Sequence, residues 1–237
     1  MTKPQPTQGG PDDRNFTLPD TNSSRRQFLL NTGAAGLIAF GLPSCNKIWD
    51  QVHKPGDKDD TIDLGAGDIG ILNYCYLLQQ LEAAFYTQVI QNPFEGIRAE
   101  ETQTFISLYN HEIAHREFYK KLLGNDGIAN LEFRFKTIDF TKKDVVLQTA
   151  RTFEDLVIKG YNGVASKIVE IRYLTNNAKV VSVDARHAAV VANLYGFRSF
   201  ADEVNIGGTD DSWTPAQVMA VAQLYIVNNI DFDGISF

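Results

Sequence analysis

Cysteine, methionine and tryptophan are scarce in this sequence, two of each in 237 residues, and histidine appears only four times. Two cysteines, Cys45 and Cys75, admit at most one intramolecular bridge, which excludes a disulfide scaffold. Basic residues are outnumbered, 22 to 29. Four of the 22 and three of the 29 fall in the first 44 residues, so the remainder keeps a net charge of −8. General nucleic-acid binding needs a basic surface that displaces counterions from phosphates, and an acidic body lacks one. The same charge suits cations as partners. The modestly apolar stretch near the start, Leu30 to Leu42, is interrupted by Gly33, Gly36 and Gly41. It falls short of the roughly 20 apolar residues that span a bilayer. The rest is ordinary, 43% hydrophobic and 22% charged, with length for one domain and a small appendage.

The beginning of the chain reads as an address and not as part of a fold. Residues 1–22 are polar and rich in Pro, Gly and Asp, and Ser24-Arg25-Arg26-Gln27-Phe28-Leu29 follows them. Paired arginines ahead of a short apolar stretch resemble a twin-arginine export signal. Leu42-Pro43-Ser44-Cys45 resembles a lipobox, in which the cysteine is acylated and becomes the new N-terminus. Residues 1–45 are therefore expected to be an export signal of the twin-arginine and lipoprotein type, with 1–44 removed. Residues 46–66 form a polar tether, in which His53 is a bystander. The protein is then periplasmic or in the cell envelope, anchored to a membrane by lipid at Cys45. A lipidated Cys45 leaves Cys75 as a buried thiol, the favoured reading over a Cys45–Cys75 disulfide.

From Asp68 onward the apolar period is helical. Ile69, Leu72, Tyr76, Leu77, Leu81 and Phe85 recur every three to four residues, which predicts a helix from Asp68, its N-cap, to about Gln91. A second is expected from about Arg98 to Leu123, stopped by Gly124-Asn125. Leu131 to Phe135 and Ile138 to Phe140 alternate apolar with polar residues, as an extended crossover does. A third helix starts near Thr141 and passes Tyr161, and a fourth follows Asn176-Asn177 and runs to about Leu194. Thr214-Pro215 opens a shorter last helix, with Thr as N-cap and Trp213 as a packing anchor. Two helices, a long crossover and two more helices define an all-α four-helix bundle over 67–196, with 197–237 as a C-terminal extension.

Each of the four helices carries an acid where its packed face wants an apolar residue. They are Glu82, Glu112 with His115, Glu154, and Asp184 with His187. A buried carboxylate is costly unless paired or bound to a cation. Glu112 follows Glu82 by 30 residues, and Asp184 follows Glu154 by 30. The second helix pair thus repeats the first: a lone Glu, then an acid with His three residues on. Residues at i and i+3 share a helix face, so each acid and its His can reach one metal. Bundles that hold two iron or two manganese ions use this set of ligands, and carboxylate with imidazole suits those metals.

In these residues the chain resembles the ferritin-like superfamily, and within it the bacterial ferritin-like, desiccation-related proteins. The resemblance lies in Leu81-Glu82-Ala83-Ala84-Phe85-Tyr86, Glu112 to His115, Glu154-Asp155 to Tyr161 and Gly163, and Asp184-Ala185-Arg186-His187-Ala188. It covers roughly Asp68 to Leu194. It implies two metal ions held by Glu82, Glu112, His115, Glu154, Asp184 and His187, and redox chemistry toward dioxygen or peroxide, ferroxidase-like or peroxide-consuming. Asp184 stands where the family has Glu, and being one methylene shorter it opens terminal binding in place of bridging. Assembly with further copies of the chain stays open, though a hollow storage shell is not expected of a tethered chain.

Two other readings compete. One is a metal-poor envelope stress or scaffold protein, in which the same six residues form a buried polar network. The other rests on His111-Glu112-Ile113-Ala114-His115, which matches the H-E-x-x-H of zinc peptidases. The extended form of that motif asks for Gly and His where Phe118 and Lys121 stand. Val183 occupies the place in the second repeat that His111 occupies in the first, so His111 lies outside the duplicated pattern. Tyr86 and Tyr161 are expected to be core packing more than donors to the carboxylates, and Arg186 a surface residue.

Overall fold

The apolar stripes read from the sequence close into four long helices and one short one. A computed structural model describes residues 61–196, 200 and 207–235. The expectations of an export signal, a lipid anchor and a Cys45–Cys75 bridge fall on residues outside these. The helices are α1 (Gly67–Gln91), α2 (Ala99–Leu123), α3 (Lys143–Ala165), α4 (Ile171–Tyr195) and α5 (Pro215–Ala222). Helix α1 packs on α2, α3 on α4, and α1 on α3, with α5 against α3. This is the expected all-α bundle. Among the described residues no helix is long and apolar enough to cross a membrane.

Helix α1 is buried along almost its whole length, and two of its amide side chains serve the neighbouring loop. Asn73 donates to the carbonyls of Leu64 and Asp126 and accepts from the backbone of Ile128. Gln80 accepts from the backbone N–H of Leu131 and donates to Ala129. These side chains seat the crossover between α2 and α3 against α1, satisfying backbone groups that a loop would otherwise bury unpaired. Aromatic rings fill the space under the crossover: Phe85, Phe135, Phe153 and Tyr225 meet at centroid distances of 4.9 to 6.4 Å.

Two glycines of α3 allow close approach. A Cβ on Gly160 would lie 2.7 Å from the Tyr74 hydroxyl, and one on Gly163 would lie 1.8 Å from the Trp213 carbonyl oxygen. Trp213 is held there by its backbone N–H to Lys159 O (2.9 Å) and by the Lys159 ammonium over its ring. The anchor role expected of Trp213 and the Thr214 cap, which closes a capping box with Gln217, are both present.

Three details differ from the sequence reading. Helix α4 begins at Ile171, a turn and a half before Asn176-Asn177, because Asn177 is buried against Cys75 and does not break the helix. Asp68 does not cap its own helix, whose N-cap is Ala66; its carboxylate accepts from the backbone of Val169 and Glu170 and so caps the entry to α4. Within the stretch taken as tether, Thr61–Asp63 forms a strand, β1, parallel to β2 (Asn229–Asp231), and Leu64 beside it is fully buried.

Candidate metal centre

Glu82, Glu112, Glu154 and Asp184 are buried, each contributed by a different helix, and His187 is nearly so. The three-residue spacing within α2 and within α4 turns each acid and its imidazole to the bundle interior. His187 Nδ1 lies 2.6 Å from Glu112 Oε1 and 3.8 Å from both Glu154 Oε2 and Asp184 Oδ1. His115 Nδ1 lies 3.0 Å from Asp184 Oδ1 and 3.5 Å from Glu112 Oε2. Two sets of donor atoms gather within 4.8 Å: Glu112, His115 and Asp184, and Glu112, Glu154 and His187. Glu112 belongs to both. Asp184 belongs to the first, its carboxylate closer to the imidazole of α2 than to that of its own helix.

Glu82 stands beside these sets. Its Oε2 accepts from Gln79 Nε2 at 3.0 Å, and the same amide reaches Asp184 Oδ2 at 3.3 Å. Tyr86 donates to Glu154 Oε1 at 2.5 Å, so it serves a carboxylate and is more than core packing. Tyr161 behaves as expected of a packing residue and stacks on Tyr119. His111 does not join the donor sets; its Nδ1 meets the outward nitrogen of His187, Nε2, at 2.9 Å. Sequence reasoning missed Gln79, although a glutamine three residues before Glu82 on a buried face is a visible signal.

The residues fit a cation better than they fit one another. Glu82 Oε1, both oxygens of Glu112, Glu154 Oε2, Asp184 Oδ1 and the Nδ1 atoms of His115 and His187 are buried without an aligned hydrogen bond. Their separations are short, but none of these atoms makes a hydrogen bond of good geometry. Donors about 2.1 Å from one metal lie about 3 to 4 Å apart, as all these pairs do except His187 with Glu112, which is closer at 2.6 Å. Buried polar groups left without a partner cost about 1–3 kcal/mol each, which a cation shared among these donors would offset.

The charges tell the same story. Burial, then the neighbouring carboxylates, pushes Glu82 well above the usual carboxylate range, and burial with Glu112 does so for Glu154. Burial raises Asp184 to about 6 against the pull of His115. For Glu112 burial is outweighed by His115 and His187, which hold it at about 2. His115 loses to burial but gains more from Asp184 and Glu112, and stands at about 10.

The sign of the pH dependence follows for metal-free protein. Asp184, raised from 3.8 to about 6, favours folding below 3.8 and progressively disfavours it up to about 6. Glu82 and Glu154 extend that loss upward. The contribution of His115 is complete below 6.5 and is lost as pH rises through about 10. The melting temperature of chelator-treated protein should therefore fall steadily from about pH 5 to about pH 9, and metal should reverse the fall by displacing the protons. A profile that is flat or rises over that interval, measured by calorimetry with and without Mn(II), contradicts these assignments.

A family model described as a ferritin-like domain matches residues 67–196, more than half of the chain. No curated protein matches it. The match begins at the first residue of α1 and ends one residue after α4, so it takes in all six converging side chains. With the four-helix bundle and its buried carboxylates and imidazoles already in place, the chain belongs to the ferritin-like domain family.

Proposed function

We propose that this protein is an exported ferritin-like protein with a carboxylate-bridged di-iron or di-manganese centre held by Glu82, Glu112, His115, Glu154, Asp184 and His187. The observation that carries the reading is the set of buried, unaligned donor atoms that draw on all four helices and share Glu112. When bound, the metals would supply a redox couple toward dioxygen or peroxide. The chain's part is to hold Glu112 between two imidazoles, to brace Glu154 through Tyr86, and to brace Glu82 and Asp184 through Gln79. Burial of the carboxylates keeps water away from them. Twin-arginine export and a lipid anchor at Cys45 complete the proposal and rest on residues 24–45.

The deciding experiment is metal analysis of protein purified without chelator, followed by oxygen and peroxide consumption. About two iron or manganese ions per chain are expected. Protein that folds, carries no metal and takes up neither Fe(II) nor Mn(II) would support the metal-poor scaffold instead. The zinc-peptidase reading has less behind it, because His111 is turned to His187 and not to a site shared with Glu112 and His115.

A further inference from the structure

We propose that His111 is a positioning residue for one half of the metal centre: it holds the His187 imidazole in the form that presents Nδ1 to a metal. This inference rests on the metal-centre reading above and goes beyond it, because His111 stands outside the duplicated ligand pattern. The first observation is the contact itself. His187 has Nδ1 turned to Glu112 and Nε2 turned to His111 Nδ1, 2.9 Å away, with the two rings within 18° of parallel. A neutral imidazole that offers the lone pair of Nδ1 must carry its proton on Nε2, and that N–H needs an acceptor. His111 Nδ1 is that acceptor. The proton of His111 then sits on its own Nε2, and the side chain is substantially exposed. Ligating imidazoles are commonly fixed by such a partner, and its loss typically costs about 10- to 100-fold in metal affinity.

The second observation is that the other half lacks the device. Among the described residues none hydrogen-bonds Nε2 of His115, whose side chain is 12% exposed. Val183 stands in α4 where His111 stands in α2, and a valine cannot accept a proton. The carboxylates do not share this imbalance, since Gln79 steadies Glu82 and Asp184 while Tyr86 steadies Glu154. Of the two imidazoles one has its outer nitrogen held by a partner side chain and the other does not. The repeat is symmetric in its ligands and asymmetric in what orients them.

The test is a titration of chelator-treated full-length protein with Mn(II), followed by the electron paramagnetic resonance of the free ion and by calorimetry. His111→Ala should weaken one of two binding events by about 10- to 100-fold and leave the other as in the wild type. His111→Asn should restore it, because Oδ1 of Asn occupies the position of Nδ1 in His and accepts the same proton. The metal-free melting temperature of His111→Asn should match the wild type. Unchanged binding of both ions by His111→Ala overturns the proposal, as does equal weakening in Ala and Asn variants. A metal-free melting temperature lowered alike in both variants makes His111 a structural prop and overturns it too. Wild-type protein that binds no Mn(II) or Fe(II) overturns the metal-centre reading itself, a result distinct from all of these.

Discussion

Glu112→Ala is expected to strip both ions from the centre at once, while Glu154→Ala and His187→Ala each remove one. The duplicated spacing alone treats the two halves as equivalent. The structure does not, because Glu112 lies in both donor sets and Asp184 in one. Glu112 lies 2.6 Å from one imidazole and 3.5 Å from the other and is the residue common to the two donor sets. Among the described residues, removing it leaves His115 with Asp184 as its remaining close carboxylate and His187 with none nearer than 3.8 Å. Breaking a buried ion pair by deleting one partner costs about 3–5 kcal/mol, so a loss of that order in metal-free stability should accompany the metal loss. Metal per chain by atomic spectroscopy and a urea titration read the two effects separately. Retention of one ion by Glu112→Ala would show that it is not shared. A zinc peptidase predicts another pattern altogether, with metal lost entirely in His111→Ala and kept in His187→Ala.

Gly163→Ala should destabilise the protein by about 3 kcal/mol, although alanine favours a helix over glycine by about 1 kcal/mol. The added Cβ would meet the Trp213 carbonyl oxygen at 1.8 Å and its carbon at 2.7 Å. Both belong to backbone, which cannot swing aside as a side chain does. The segment must lift, losing the Trp213 N–H to Lys159 O bond and loosening α5, whose Val218, Met219 and Ala222 are buried. For a chain of this size the effect corresponds to a fall of about 6–12 °C in melting temperature. Metal content should be untouched, since Glu154 lies two and a half turns away along α3. A variant as stable as the wild type would mean that Trp213 does not press on this helix.

The helices and the clustered acids and histidines of the candidate site were legible because both depend on periodicity. Apolar residues at three-to-four spacing located α1 to within about two residues, the glycine stop at Gly124 ended α2 where expected, and the repeated interval of 30 singled out four acids that are buried. What escaped depended on contacts between distant segments. Asn176-Asn177 looks like a helix break until Cys75 is placed beside it, 102 residues earlier in the chain. Asp68 reads as a cap for its own helix, yet its carboxylate serves backbone 101 and 102 residues away. A three-residue strand such as β1 has no period to detect. His111 and Tyr86 were visible as residues, but their partners, His187 and Glu154, come from other helices and appear only in three dimensions.

The pairing of β1 with β2 has a mechanical consequence. Thr61, Ile62 and Asp63 lie alongside Asn229, Ile230 and Asp231, and the bond from Leu64 N to Asp231 O extends the ladder. Among the described residues, the two strands thereby tie the segment ahead of α1 to the C-terminal segment. On the proposed tether, tension arriving at residue 60 would be taken up by this clasp and by buried Leu64 before it reached the helix that carries Glu82. Force on the proposed anchor would thus be diverted into the C-terminal segment, sparing the candidate site in the bundle.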